Sequence, residues 1–526
     1  MKEKALLLGI VLVLATMATA NIFSTENTSM KESSNVIHAI MAHGNAHNLK
    51  LQGKEIENAF VRAPVASSIP VANTEDTEYH PTIASSGNTF FAGYVYAPSI
   101  IEQYVYMAVS TDGGNTFENA GYWNIEGVTD YPSFANWGGN TFYGTFMPDP
   151  NTAYTYLMEI QDITDTSTWG LVYWDWSSYG WHDFMEPKIA CDNSQNPWEF
   201  GVIAFVASTT YTEEELINGP HMFFADPDTE NSGWISWWEY PGCQHADATI
   251  DKAKDMIYTT YDWYNDTAAT WNILVWARGF EDPFDDNVSF LVEIPTTFYA
   301  VNPAIAAYND NVVVVAQSDE HINQDIVCFY SSDGGMTWET SYVTSATQDD
   351  LYPDIVVSGN KLICTFVREG NLYYSSSEDW GATWSEPVKI NDVDGSVASE
   401  FGTSYACSSG VIWTDTRDGN PDVYFDTFPA PIINIEISGL FGVKATVSNT
   451  GSIAAENVPW SIKLSGFVPI GSTKEGTISS LEPGQSTTIK TGLVFGIGPT
   501  DITVNVGGTT ATAHGFVLGP LVLGVK

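Results

Sequence analysis

The chain has 526 residues, and its 64 Asp and Glu against 19 Lys and Arg give a formal net charge of -45. Such a surface repels nucleic acid and anionic lipid, so both are poor partners for it. The length exceeds that of one ordinary domain. The five cysteines show no C-x-x-C motif and no histidine spacing for zinc, so we expect buried free thiols, with one or two disulfides left open.

The first residues read as a targeting segment. Lys2 and Lys4 precede an apolar run at residues 5–14 and an A-x-A-like site at residues 18–20, which together predict a signal peptide over residues 1–20. The apolar run is too short to span a bilayer comfortably. Residues 21–58 are polar and without a sustained period, which predicts a flexible leader. We therefore expect an exported protein, either secreted or held at the cell surface.

A short pattern recurs through residues 59–428 at a spacing of roughly 45–60 residues. It reads Pro81-Thr82-Ile83-Ala84 in the first unit, and related tetrapeptides start at residues 132, 187, 246, 303 and 353, with a degenerate seventh unit near Glu400. Aromatic and β-branched runs between Gly, Asn and Asp turns predict an all-β chain. The spacing predicts a β-propeller with seven blades favoured and six possible. A strand within residues 59–71 would pair with the last unit and close the ring.

A second repeat follows three of the aromatic strands. Residues 110–117, 331–338 and 377–384 all fit Ser-x-Asp-x-Gly-x-Thr-(Trp/Phe), which predicts a hairpin stapled by its polar side chains and packed onto its own sheet by its aromatic ring. The structural residues of this motif are Asp112, Gly114, Thr116, Asp333, Gly335, Thr337, Trp338, Asp379, Gly381, Thr383 and Trp384.

These octapeptides resemble the Asp-box, or BNR repeat, of sialidases and related β-propellers. The resemblance implies the fold and places the motif on the outer rim, away from an active site, so it does not by itself imply an enzyme. Sialidases have six blades, whereas seven units are favoured for this chain.

In a propeller the innermost strand of each blade begins at the mouth of the central funnel. The residues just before each unit should therefore line one face, where they could bind a sugar or simply pack the funnel. The predicted funnel residues are Glu78, Tyr79, His80, Asp130, Tyr131, Glu186, His245, Asp247 and Glu400.

The sialidase resemblance also implies a set of catalytic residues. That mechanism uses three arginines on the substrate carboxylate, a tyrosine nucleophile and an aspartate acid/base. The chain has four arginines, and a triad of Arg62, Arg278 and Arg368 with Tyr352 and Asp354 is arithmetically possible. Convergence of the three arginines in the funnel is the condition that this hypothesis must meet. A glycosidase acting on a neutral sugar would need only two facing carboxylates.

An acidic turn could hold a metal ion. Asp392 and Asp394 place oxygen ligands at alternate positions of this turn, so Ca²⁺ is a possible cofactor, although an acidic hairpin tip is the plainer explanation.

The composition changes in residues 432–526, which are rich in Gly, Ser, Thr and Val in an alternating strand pattern. This change predicts an immunoglobulin-like β-sandwich. Asn449-Thr450-Gly451 and Leu481-Glu482-Pro483-Gly484 resemble the CARDB adhesion-type domain. The apolar tail is predicted to be a final strand, with an anchoring or docking segment as the alternative.

From these patterns we expect a secreted or cell-surface recognition protein that binds a glycan or another surface protein. An exo-sialidase or other glycoside hydrolase is the competing class, and a structural envelope component is the third. No transmembrane span is expected, and the sequence leaves the oligomeric state open.

Overall fold

The computed structural model consists of two units, residues 1–427 and residues 428–526. It describes the following residues: 37–43, 51–52, 68–99, 101–123, 125, 129–149, 152, 154–176, 181–193, 200–212, 215–226, 231–236, 240, 242–283, 285, 288–294, 296–428, 433–449, 454–482, 484–507 and 509–525. The predicted signal peptide and Arg62 lie outside them. Apart from a short 3-10 turn at Thr166–Thr168, the regular elements in these ranges are strands.

The first unit forms seven antiparallel sheets, numbered here along the chain. Sheets 1 and 3 carry a fifth strand on their outer edges, Leu51–Gln52 and Ile37–His43 respectively. From the inside outwards, the remaining strands of sheet 1 are Thr77–Ser86, Thr89–Ser99, Glu102–Ser110 and Glu118–Trp123, and those of sheet 2 are Asp130–Gly138, Thr141–Met147, Tyr154–Ile160 and Trp169–Asp175. Those of sheet 3 are Trp181–Cys191, Gly201–Thr212, Glu215–Asp226 and Asn231–Ser236, and those of sheet 4 are Cys243–Asp251, Met256–Asn265, Thr270–Gly279 and Ser289–Ile294.

Sheets 5 to 7 have four strands each, and the outermost strand of sheet 7 comes from the start of the unit. From the inside outwards, the strands of sheet 5 are Ala300–Tyr308, Asn311–Ser318, Asp325–Ser331 and Glu339–Tyr342, and those of sheet 6 are Asp350–Ser358, Lys361–Arg368, Asn371–Ser377 and Val388–Lys389. Those of sheet 7 are Ser404–Cys407, Gly410–Asp415, Asp422–Thr427 and Ile69–Ala72.

The seven sheets form a closed ring. The inner strand of each sheet contacts that of the next, and the inner strand of sheet 7 contacts that of sheet 1. Ile69–Ala72 pairs with Asp422–Thr427, as predicted for ring closure, and so covers a sheet edge that would otherwise be open. The all-β propeller prediction is confirmed. The end at which the inner strands begin is called the mouth below.

The apolar core lies between neighbouring sheets. One cluster joins Val315 of sheet 5 to Leu362 and Phe366 of sheet 6, and others join the preceding pairs in the same way. Because each sheet is covered on both faces, the central strands are almost continuously apolar, as in Asn311–Ser318. All five cysteines are buried and free, as expected.

The predicted leader differs from expectation in two places. Ile37–His43 pairs with the outer strand of sheet 3, and Leu51–Gln52 pairs with that of sheet 1. These residues have no period that would mark them as strands in the sequence. They complete exposed edges whose free backbone groups accept any extended segment within reach.

Each Asp-box is a turn held by a single aspartate. Ser331 Oγ donates to Asp333 Oδ1 at 2.8 Å and accepts the Gly335 amide at 2.9 Å. The amide and hydroxyl of Thr337 donate to the two oxygens of Asp333 at 2.9 and 2.6 Å. These hydrogen bonds lower the pKa of Asp333 to about 2. The boxes at residues 110–117 and 377–384 make the same bonds.

The boxes also join neighbouring sheets, which the sequence pattern did not predict. Tyr258 of sheet 4 donates its hydroxyl to Gly334 O at 3.2 Å. A Cβ added to Gly114 would lie 2.3 Å from the ring of Phe425 in sheet 7. The motif therefore staples each of its sheets to the preceding one.

The second unit is a two-layer sandwich with one apolar core. The first layer has three strands and the second has five, with the tail forming the last two. They are Ile433–Leu440, Gly442–Asn449 and Ser486–Lys490; then Thr473–Leu481, Ala455–Leu464, Gly496–Val506, Thr509–Gly519 and Leu521–Leu523. Over the described residues of the chain, no helix is long and apolar enough to cross a bilayer.

Candidate functional site at the propeller mouth

Each inner strand of sheets 1 to 6 contains one residue with a left-handed backbone near the mouth, and in sheet 7 such a residue precedes the strand. In sheets 1 to 6 these residues have φ between 43° and 54°, and the pairing register shifts beside each of them. They are His80, Tyr131, Glu186, His245, Asn302 and Tyr352, with Gly402 (φ 75°) ahead of the inner strand of sheet 7. Positive φ costs a non-glycine residue about 1 kcal/mol. We call these seven positions the mouth ring.

Aromatic contacts join the ring across the channel. The His80 imidazole stacks on Tyr131, with centroids 4.2 Å apart. A Cβ on Gly402 would lie 3.1 Å from the Tyr131 ring and 3.2 Å from His80, so only glycine fits there without displacing them. Phe401 reaches His245 of sheet 4 at 4.4 Å and Tyr131 of sheet 2 at 6.1 Å. Phe401 of the seventh unit therefore bridges sheets 2 and 4 at the mouth.

Two imidazoles of the ring are held by carboxylates. His80 Nδ1 lies 2.6 Å from Asp130 Oδ1, and His245 Nδ1 lies 2.7 Å from the fully buried Asp262. Asp262 also accepts the Asn302 amide at 2.9 Å. Burial alone would lower the pKa of His245, but the hydrogen bond to Asp262 and the charges of Asp262 and Glu186 together raise it. The mouth therefore presents an imidazole that is fixed by a buried carboxylate.

Carboxylates and neutral phenols make up the rest of the mouth. Burial raises the pKa of Glu186, although His245 partly offsets the effect. Burial and the charge of Glu400 raise the pKa of Tyr352, and burial followed by nearby carboxylates raises those of Tyr79 and Tyr131. Glu400 is exposed. The arrangement offers hydroxyl donors and carboxylate acceptors beside aromatic surface, which are the groups that bind sugars.

A structural layer lies deeper in the channel. Asp247 accepts the Ile305 amide at 2.8 Å, and Asp354 accepts the Ala406 amide at 2.6 Å, so each carboxylate ties its inner strand to the next. Burial raises the pKa of Asp247 to about 7 against the lowering effect of Lys188. A cavity of about 350 Å³ lies beyond this layer, bordered by both aspartates. Asp247 was predicted to be a funnel residue and Asp354 a catalytic residue, but each of them joins its sheet to the next one.

Glu78 also differs from its prediction. It has no exposed surface and lies against the equally buried Asp422 at the ring closure. Its backbone amide donates to Pro421 O at 2.9 Å, Thr74 donates to its carboxylate, and Asn420 donates to Asp422 Oδ1 at 3.1 Å. Burial of the two acids raises the pKa of both toward neutral pH. Glu78 is therefore half of a buried carboxyl pair rather than a funnel residue.

The arginines of the proposed triad do not converge. Arg278 is buried at the end of its strand away from the mouth, where it donates to Pro283 O and Ser289 Oγ at 2.7 Å each. Arg368 lies at the mouth end of sheet 6 in a bidentate pair with Asp350, at 2.6 and 2.8 Å. Arg278 and Arg368 lie at opposite ends of their sheets, so the condition set for the sialidase site is not met by these two residues.

The proposed calcium ligands are held by cations. Asp392 pairs with Arg417 at 2.9 Å and accepts the amide and hydroxyl of Ser68, while Asp394 pairs with Lys389. Within the described part of the chain, no group of three or more His, Cys, Asp or Glu side chains could hold a metal ion. The acidic turn is thus a set of ion pairs that fixes Ser68 at the ring closure.

Sequence position alone predicted most of the mouth. The structure brings together Tyr79, His80, Asp130, Tyr131, Glu186, His245 and Glu400, with Tyr352 from the catalytic set. Sequence reasoning missed Phe401 and Asp262. Phe401 precedes the ring position of the degenerate unit, which was a usable signal. Asp262 lies on a second strand and carried no signal.

Comparison with known proteins agrees with the motif. Residues 287–404, which include sheets 5 and 6, match the BNR repeat-like domain. No curated protein matches the sequence.

Several solved structures align with more than two thirds of this chain. A protein of unknown function from Dyadobacter fermentans aligns with 69% of this chain and 97% of its own (9% identity, TM-score 0.40). A Penicillium chrysogenum alpha-L-arabinanase aligns with 69% of this chain and 99% of its own, at 14% identity and a TM-score of 0.38. A Trypanosoma rangeli sialidase aligns with 90% of this chain and 92% of its own, at 10% identity and a TM-score of 0.36. At these values none of the three indicates an activity. The three stapled boxes agree with the match to a BNR repeat-like domain over residues 287–404, and the closed ring of sheets shows a β-propeller in the first unit.

Proposed function

We propose that the propeller recognises a neutral glycan at its mouth. The observation that carries the proposal is the chemistry of the mouth ring, where neutral phenols and two held imidazoles surround the exposed Glu400. Phenol and carboxylate oxygens can hydrogen-bond sugar hydroxyls, while the rings of Tyr79 and Tyr352 offer faces for the sugar C–H groups. Because Phe401 bridges sheets 2 and 4 at the mouth, we expect the site to take a chain end or an exposed residue of a polysaccharide.

The same chemistry disfavours sialic acid and other anionic sugars. Glu400 and Asp130 give the mouth a negative potential, and an anionic ligand would need a free guanidinium to offset it. The described arginines are held by other groups: Arg368 by Asp350, Arg417 by Asp392 and Asp415, and Arg278 away from the mouth. Recognition of a neutral sugar is therefore the better fit.

The test compares neutral and sialylated oligosaccharides by titration calorimetry on the full-length protein. Loss of a stacking ring or an acceptor costs about 1–3 kcal/mol, so Tyr352→Ala and Glu400→Ala should each weaken binding of the neutral sugar about tenfold or more. Tyr308→Ala is the matched control, because Tyr308 is a tyrosine that is exposed and ends its inner strand away from the mouth. Binding that prefers the sialylated sugar, or equal losses in Tyr308→Ala, would reject the proposal.

Hydrolysis of a neutral glycoside is a second candidate, and one observation favours it. A glycosidase needs a protonated carboxylic acid and an ionised carboxylate at one site. Burial raises the pKa of Glu186, whereas Glu400 is exposed to solvent. Turnover of neutral nitrophenyl glycosides that disappears in Glu186→Gln would establish this candidate. Sugar binding without turnover would leave recognition as the function.

We also propose that the protein acts outside the cytoplasm, either secreted or at the cell surface. The charged start, apolar run and A-x-A-like site of residues 1–20 support this location. Fractionation of the producing cells, with N-terminal sequencing of the mature chain, tests it. A full-length product retained in the cytoplasm would contradict it.

A further inference from the structure

One end of the β-sandwich presents many exposed apolar side chains. The turn at Phe441, the segment 466–471, the segment 492–497 and the turn between Thr509–Gly519 and Leu521–Leu523 all lie at this end. The chain enters the sandwich at the other end, where residue 433 pairs with Asn449. We call this apolar end the tip.

The side chains at the tip are far more exposed than apolar residues usually are. Phe441 and Leu493 are 71% exposed, and Phe467 is 69% exposed. Isolated surface apolar residues are common, but several on adjoining turns form a patch of the kind that marks an interaction surface. The tip is therefore a surface that needs an occupant.

The patch ends abruptly along the strands that rise from it. Ile497 and Leu518 face each other on the outward side of their strands, and both are exposed. Four residues further along the same side of the strands, Asp501 is paired with His514. Both are exposed, and His514 Nδ1 lies 2.6 Å from Asp501 Oδ1. Four residues of extended strand rise about 13 Å, so the apolar zone has roughly the depth of the boundary between lipid headgroups and acyl chains.

Lysines form a belt behind the tip. Lys444 and Lys490 are paired across two strands, just behind Phe441 and Leu493. Lys463 and Lys474 occupy the strands that flank the 466–471 segment. All four are exposed. Lysine ammonium groups placed just outside an apolar zone match the phosphates of a lipid headgroup layer.

The sandwich does not share the acidity of the whole chain. Residues 428–526 contain five Lys and five Asp or Glu, so their formal charge is zero and the entire -45 belongs to residues 1–427. The repulsion of anionic lipid expected from the whole-chain charge therefore does not apply to this unit by itself.

We infer that the tip docks on a lipid bilayer, with its apolar side chains in the interfacial region and the lysine belt at the headgroup phosphates. A second copy of the chain fits less well, because a symmetric tip-to-tip contact would bring the two lysine belts together. The sandwich would then anchor the protein reversibly to a membrane, while the propeller binds the glycan proposed above.

Flotation of the full-length protein with vesicles of phosphatidylcholine, alone or with phosphatidylglycerol, tests the inference. The wild type should float with both. Phe441→Ser combined with Leu493→Ser should lower the partition coefficient about a hundredfold, since each buried side chain contributes on the order of a tenfold gain. Lys444→Glu combined with Lys490→Glu should weaken binding mainly to the phosphatidylglycerol vesicles.

Ile322→Ser combined with Met336→Ser is the matched control, because both residues are exposed apolar side chains of the propeller. It should float like the wild type, and circular dichroism should show that all variants are folded. A wild type that floats with neither vesicle, or a tip variant that floats like the wild type, would overturn the inference. So would a dimer, seen by sedimentation equilibrium, that the tip substitutions dissociate.

Discussion

The two ends of the propeller sheets use the repeated sequence in opposite ways. At the Asp-box end the same side chains make the same hydrogen bonds in three sheets. At the mouth the backbone conformation repeats in seven sheets while the side chain changes from His to Tyr, Glu, Asn or Gly. The first end therefore stabilises the ring, and the second spends stability on backbone strain and buried charge in order to present different groups. Substitutions should separate these two roles.

The largest effect is expected from the buried carboxyl pair at the mouth end. Both acids have a pKa raised by burial in the folded state, so their protonation favours folding. That contribution is fully present below the ordinary carboxyl pKa and is lost as the pH rises through the neutral range. Asp76, Asp415 and Asp418 add negative charge around the pair and act in the same direction.

Asp422→Asn removes one of these charges and keeps an oxygen for Asn420. The variant should be more stable than the wild type by about 2–4 kcal/mol at about pH 9 and nearly equal to it at about pH 4. Urea unfolding across that range measures the difference. Parallel curves for the two proteins would mean that the pair does not titrate as described.

The next effect is expected at the Asp-box end. Asp379→Ala removes the acceptor of three hydrogen bonds from Ser377 and Thr383, which should lower the free energy of unfolding by about 1–3 kcal/mol and leave sugar binding unchanged. Glu378→Ala, at the neighbouring exposed position, is the control and should change stability by less than about 0.5 kcal/mol. Equal losses in both variants would remove the staple role.

A smaller effect on stability, joined to a large effect on binding, is expected from Gly402→Ala. The left-handed backbone disfavours alanine by about 1–2 kcal/mol. The new Cβ would also push against the rings of His80 and Tyr131, which displaces the mouth. Gly359→Ala is the control, because Gly359 is also left-handed but has open space around it. Only the first variant should lose sugar binding in calorimetry.

The repeats predicted the fold because each blade needs the same local signals. Turn residues, apolar strands and Asp-boxes recur at fixed offsets, and the closing strand followed from the need to cover the last edge. The strands Ile37–His43 and Leu51–Gln52 were not predictable, since an edge accepts backbone rather than a particular side-chain pattern.

The mouth was predicted less completely because of its bulges. In a regular strand, successive side chains point to opposite faces of the sheet. A left-handed residue in a bulge interrupts this alternation, so that two successive side chains can point to the same side. Tyr79 and His80 consequently both reach the mouth, while Glu78 turns to Asp422 and Asp247 lies one layer deeper. Ion-pair partners such as Asp350 for Arg368 depend on strand register, which spacing does not supply.

The closing strand delays completion of the propeller until nearly the whole first unit has been synthesised. Ile69 emerges early but pairs with Phe425, which is among the last propeller residues to be made. Contacts of such long sequence separation form slowly, so sheet 7 and its ion pair between Asp392 and Arg417 must wait for nearly the whole chain. Until those residues are available, the outer edge of sheet 7 stays unpaired, and an unpaired strand edge can pair with other chains.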